Sequence, residues 1–184
     1  MSQILKLHPD SRCDAVSGIA VDVARPRAGA LELRYVVKGA VEGVRLPPKA
    51  SSVRSDELWR HTCFEIFVRT APRSSYAEFN FAPSTAWAAY AFDSYRSGMS
   101  AAREIETPRI TVESTSQTFA LKSELDVSGL TFLTPDAPWQ LALSAVIEEI
   151  NGRLCYWALA HPPGKPDFHH SDCFALELPA PSRA

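Results

Sequence analysis

A chain of 184 residues with 46% hydrophobic and 22% charged side chains has the length and composition of one folded domain, which excludes wholesale disorder. A net charge of −2 withholds the basic footprint that nucleic-acid binding requires. No uncharged apolar run approaches the roughly 18 residues of a membrane helix, so neither nucleic acid nor membrane is expected as a partner.

In chain order, the opening MSQILKLHPD is broken by Lys6, His8 and Asp10 and lacks the apolar centre of a signal peptide. The cysteines Cys13, Cys63, Cys155 and Cys173 form no C-x-x-C pair, so free thiols and a cytoplasmic location are expected. Short apolar or alternating runs then recur near residues 3–7, 18–24, 30–38, 60–69, 75–82, 86–95, 108–114, 117–127, 139–150, 153–161 and 173–178. About eleven such runs, punctuated by turn residues and without helical periodicity, predict an all-β sandwich or barrel over residues 1–184. Stretches 41–58 and 162–172 stay irregular, and long loops of this kind are often functional.

Three hairpins define faces. If residues 70–75 form the first turn, Val68 faces Ala77, Ile66 faces Phe79 and Phe64 faces Phe81, so one side is wholly apolar. The other side then sets Glu65 beside Asn80, with Glu78 one pair away. In the second hairpin, Asn151-Gly152 signals a two-residue turn pairing Ile150 with Arg153. That register groups Glu148, Trp157 and His161 on one face. The third, from Tyr76–Phe81 to the run at 87–95, leaves Trp87 free to join either the apolar or the polar side. The alternation of Thr118, Lys122 and Glu124 with Phe119, Leu121 and Leu125 is an ordinary solvent-facing strand.

The segments LWRHTCFEIFV (58–68), YAEFNFAPSTAWAAYAFDSYRSGM (76–99) and YWALAHPPGKPDFHH (156–170) resemble the bacterial DOMON-like family. That family is distantly related to family 9 carbohydrate-binding modules and to DOMON domains that bind haem or sugar. The resemblance implies a jelly-roll-like, immunoglobulin-like β-sandwich of two mainly antiparallel sheets, with a ligand site on one sheet or at its edge. It implies no particular ligand, because one fold hosts many functions.

Sugar recognition needs flat aromatic faces and planar polar groups held rigidly. Trp59, Trp87 and Trp157 are the candidates for stacking; Glu65, Glu78, Asn80, Arg96 and His161 are the candidates for hydrogen bonding. His61 adds a polar group, and Lys165 and His169 sit in a proline-stiffened loop suited to a polar ligand. Arg54, Arg60, Arg96 and Lys165 leave an anionic sugar open. The expected function is therefore small-ligand binding, with a sugar or sugar derivative as partner. Two alternatives stand beside it: a glycosidase-like hydrolase using Glu65 and Glu78, and a structural or interaction domain. No cofactor is expected. His61 with Cys63, and the group His169, His170, Asp172 and Cys173, match no zinc spacing, and an axial haem pair would require Met99 with His161.

Overall fold

The computed structural model describes residues 1–181. It has twelve strands: β1 (Ser2–Leu7), β2 (Val16–Ala24), β3 (Ala30–Gly39), β4 (Cys63–Arg69), β5 (Tyr76–Phe81), β6 (Trp87–Phe92), β7 (Ser100–Ala101), β8 (Arg109–Ser114), β9 (Thr118–Asp126), β10 (Trp139–Glu148), β11 (Leu154–Ala158) and β12 (Leu176–Leu178). The all-β expectation holds. Single-turn 3-10 segments at Val41–Gly43, Leu58–Arg60 and Ser171–Cys173 punctuate the loops.

All named pairings are antiparallel, in the order β7-β6-β5-β4-β10-β11-β1-β2-β3-β9-β8, with β12 on β10. β1 joins the two halves: residues 2–5 pair with β2, and Lys6 and Leu7 pair with β11. The sheet curls so that one half covers the other. Tyr35 and Phe64 lie 5.1 Å apart across the core, and Phe64 stacks on Phe119 at 5.8 Å. Tyr35 donates its hydroxyl to the Glu65 carbonyl at 2.6 Å, satisfying the one polar atom that an otherwise apolar ring brings into the core.

The β4–β5 register is the one its alternation demands: Phe64 pairs with Phe81, Ile66 with Phe79 and Val68 with Ala77. These side chains are fully buried in the core, where each large one contributes about 1.5–3 kcal/mol. A one-residue slip would turn the whole set outward. β6 settles the Trp87 alternative. Trp87 pairs with Phe81 and faces the core, with the Arg54 guanidinium 4.3 Å above its ring.

The β10–β11 register differs by one residue from the two-residue-turn expectation. Ala145 pairs with Trp157 and Val146 with Tyr156. The turn spans three residues: the Glu149 N–H donates to the Arg153 carbonyl at 2.9 Å, and the Gly152 N–H donates to the Glu149 carbonyl at 2.8 Å. Gly152 lies in the left-handed region, at φ 83°, and Asn151 Oδ1 accepts from the Arg153 N–H. Asn-Gly thus fills a three-residue loop closed by a left-handed glycine, a geometry distinct from the tight two-residue turn. The extra residue turns Trp157 into the core and Tyr156 to the opposite face.

Candidate functional site

The outer face of β6-β5-β4-β10-β11 is not left to solvent. Phe67, Tyr76, Tyr90, Phe92, Val146 and Ala158 form a second apolar cluster there, covered by Phe168, Cys173 and Phe174 from the loop before β12. Leu58 and Trp59, on the short turn before β4, pack against its edge. Between sheet and loop lies a cavity of about 340 Å³ lined by Trp59, Glu65, Glu78, Phe92, Arg96, Met99, Val146, Tyr156, Pro166, Phe168 and His169. Its size is that of a small-ligand pocket.

Glu65 and Glu78 supply the acids, on neighbouring strands and the same face. Ser144 donates to Glu65 Oε2 at 3.2 Å, and Asn80 Nδ2 donates to Glu78 Oε1 at 2.7 Å. Burial, reinforced by the neighbouring Glu78, pushes Glu65 up to about 8, although the Ser144 hydrogen bond pulls the other way. Burial also pushes Glu78 up to about 7, opposed by the Asn80 hydrogen bond and the Arg96 charge. The pair therefore retains at least one proton near neutrality.

Arg96 reaches the cavity from a tight turn after β6. The Asp93 N–H donates to the Ser97 carbonyl at 3.0 Å, and Gly98 occupies a left-handed position where a Cβ would strike Asp93. Arg96 itself has φ 52°, a strained conformation of the sort that persists where surrounding structure enforces it. Its backbone N–H donates to the Tyr76 hydroxyl, and its guanidinium donates to Asp167 Oδ1 at 2.8 Å. Burial opposes ionisation of Asp167, but hydrogen bonds from Tyr95 and Arg96 outweigh it and hold the carboxyl below its ordinary range. The Tyr76 hydroxyl lies 2.8 Å from His169 Nδ1. That hydroxyl also accepts from the Arg96 N–H, and the other ring nitrogen of His169, Nε2, lies 3.8 Å from Glu78 Oε2. Burial first, then the Arg96 charge, lowers His169 to about 4, so the ring is neutral at neutral pH.

Five expected residues thus line one cavity: Trp59, Glu65, Glu78, Arg96 and His169. Asn80 lies fully buried beside them and orients Glu78. The other five lie elsewhere. Trp87 and Trp157 are core residues. His61 bonds Glu148 Oε2 at 2.7 Å in a separate hollow that Arg45 and Arg60 also line. His161 meets the Lys6 carbonyl through Nε2 at 2.8 Å and packs edge-on against His8. Lys165 is exposed and outside the cavity lining. Sequence reasoning missed Tyr156, which the register slip had turned inward, and Phe92, Val146 and Phe168, whose apolar character reads as core. Three of the four basic residues expected for an anionic sugar are already engaged: Arg54 bonds the carbonyls of Ala89, Ala102 and Ile105, Arg60 pairs with Glu57, and Arg96 pairs with Asp167, while Lys165 is exposed outside the cavity lining.

The haem-type pair is not assembled, since Met99 lines the cavity while His161 does not. Nor do the loop groups converge: His170 Nδ1 accepts from the Asp172 N–H, and the Cys173 thiol donates to the Asp167 carbonyl. A different cluster, Cys13, Glu149 and Cys155, brings three potential ligand atoms within 4.8 Å of one another. Glu149 there already accepts from the backbone of Asp14 and Ala15 and from Arg153, so it clamps the segment after β1 to the β10–β11 turn. No motif spacing signals this cluster, because Cys13 lies far in sequence from Glu149 and Cys155.

No protein-family model and no curated protein sequence matches the chain. Solved structures do share its fold. A Bacteroides uniformis protein provisionally assigned as carbohydrate-binding superposes with a TM-score of 0.68 at 15% identity, covering 94% of this chain and 83% of that one. A family 9 carbohydrate-binding module from Caldicellulosiruptor kristjanssonii, solved with cellotriose, gives 0.58 at 8% identity, covering 100% and 84%. The structure of a module of that family from the same organism with glucose gives 0.54 at 8% identity, covering 99% and 83%. The chain therefore has the fold of these carbohydrate-binding proteins.

Proposed function

We propose that this chain is a DOMON-like carbohydrate-binding module that holds a single sugar unit, or the end of a short saccharide, in the cavity beneath the loop before β12. The observation that carries the reading is the meeting of Glu65 and Glu78 with Trp59, Phe92, Tyr156 and Phe168 around one hollow of about 340 Å³. Aromatic walls suit the C–H faces of a pyranose, and planar polar groups suit its hydroxyl edge. The fold shared with cellotriose- and glucose-bound modules supports the same reading. In it, the curled sheet is a jelly-roll-like sandwich bridged by β1, and the free thiols of a cytoplasmic protein complete the picture.

The test is a titration with a panel of mono- and disaccharides, read by tryptophan fluorescence and calorimetry. At least one sugar is expected to bind saturably, and Trp59→Ala is expected to weaken it by about tenfold, or about 1.4 kcal/mol. Absence of binding across the panel by a folded protein would refute the reading. A second reading, glycoside hydrolysis, draws on the raised acids in one cavity. It requires turnover of chromogenic glycosides that Glu78→Gln abolishes.

A further inference from the structure

We propose that the ligand presents a cationic nitrogen to the Glu65–Glu78 pair, so that the sugar taken is an amino sugar with a free amine. This inference rests on the carbohydrate-binding reading and narrows it. The first support is an imbalance of donors. Glu65 Oε1 and Asn80 Oδ1 are buried and have no hydrogen-bond partner among the described residues. They belong to residues directly paired across β4 and β5, and Glu65 lines the cavity. Each of these acceptors lacks a donor. An unpaired buried acceptor costs about 1–3 kcal/mol, and a donor that a ligand brings to Glu65 from the cavity would offset that cost.

The second support is charge. Two carboxyl groups line the cavity against one guanidinium, Arg96, which already pairs with Asp167. His169, the remaining basic group on the lining, is neutral because burial and Arg96 disfavour its charged form. The third is the wall chemistry. Trp59, Phe92, Tyr156 and Phe168 present aromatic rings to the same space, and ring faces attract a cation. An ammonium group offers three donors to these acceptors and one positive charge that favours the ionised form of the acids. A neutral hydroxyl supplies a donor but gives the two acids no counter-charge.

Entry of an ammonium group favours ionisation of the carboxyl that keeps its proton, which then passes to the buffer. Cys63, Tyr76, Tyr90, Arg96, Asp167 and His169 also face the pair from the surrounding elements. Cys63, Tyr76 and Tyr90 stay neutral because they are held above their ordinary values, while Arg96 and Asp167 keep their charges.

The experiment is calorimetry on the full chain at about pH 6.5, where an aliphatic amine is charged and the acid pair keeps a proton. Glucosamine, N-acetylglucosamine, glucose and cyclohexylamine are compared, each in two buffers of different ionisation enthalpy. Glucosamine is expected to bind at least about tenfold tighter than glucose or N-acetylglucosamine, with net proton release. Glu78→Gln is expected to remove that preference and reduce the release. Should that variant fail to fold, proton release by the unmodified chain remains a sufficient readout. Equal or tighter binding of a neutral sugar, or binding of glucosamine without proton release, would overturn the inference and leave the carbohydrate reading standing. Binding of cyclohexylamine with no sugar bound would retain the cation preference and retire the sugar. No binding by any of the four would overturn the inference.

Discussion

Replacing Glu65 by glutamine should make the protein more stable in mildly alkaline solution. In the unfolded chain this carboxyl ionises near its ordinary value of 4.5, whereas burial in the folded chain holds its proton until about 8. Unfolding therefore releases a proton anywhere between those values, and the stability of the folded state falls as pH rises through that window. At about 1.4 kcal/mol per pH unit, the full separation corresponds to about 5 kcal/mol, of which about 3 kcal/mol is already lost at pH 7. Glutamine has the same shape and no charge to lose. Its amide oxygen can accept from Ser144, as Glu65 Oε2 does, and its NH₂ offers a donor toward the unpartnered Asn80 Oδ1. Urea denaturation of both proteins from about pH 5 to pH 9 measures the difference. The unmodified chain should lose stability steeply across the range, and Glu65→Gln should flatten most of the slope, leaving the contribution of Glu78. Parallel curves would refute the claim that Glu65 is a buried, proton-retaining acid.

Four further outcomes follow from the geometry. Trp157→Ala should cost about 3–5 kcal/mol by opening a core cavity, while Tyr156→Ala should cost about 1 kcal/mol and weaken ligand binding instead; thermal melts and titrations on the same samples separate the two. Gly152→Ala should destabilise by about 1–2 kcal/mol in urea denaturation purely through its left-handed backbone, since a Cβ there meets nothing within 4 Å. Arg96→Ala should raise the apparent pKa values of the carboxyl pair, because its positive charge favours their ionised forms; carboxyl carbon shifts in an NMR pH titration report it. His169→Phe should weaken ligand binding with little loss of folding, because the imidazole is neutral and packs against Phe67 and Phe92; melts and sugar titrations check both parts.

The β4–β5 hairpin could be read from sequence because only one register buries a matched apolar side and leaves Glu65, Asn80 and Glu78 together opposite it. β10 and β11 offered no such check. Both of their faces are apolar, so the turn alone decides the register, and Asn-Gly serves two-residue and three-residue loops alike. That single residue exchanged Tyr156 for Trp157 at the cavity. Trp87 was undecidable for a related reason: alternation continues through β5 and β6 without saying how many residues the bend consumes. The loop before β12 was recognisable as irregular and rich in unusual residues, yet its path is set by burial of Phe168, Cys173 and Phe174 on the outer face, a tertiary choice with no local period. His61 and His161 looked functional by type, but each is engaged by a group far away in sequence, Glu148 and the Lys6 carbonyl.

The four indoles distinguish the account from its rivals in one spectrum. Trp59 alone among them lines the cavity, while Trp87, Trp139 and Trp157 are held in the core. In a ¹H–¹⁵N NMR titration with the best-binding sugar, the Trp59 indole signal should move saturably and the other three should stay nearly still. Saturable movement of the Trp87 or Trp157 signal with Trp59 unmoved would place binding elsewhere and contradict the cavity as the recognition site.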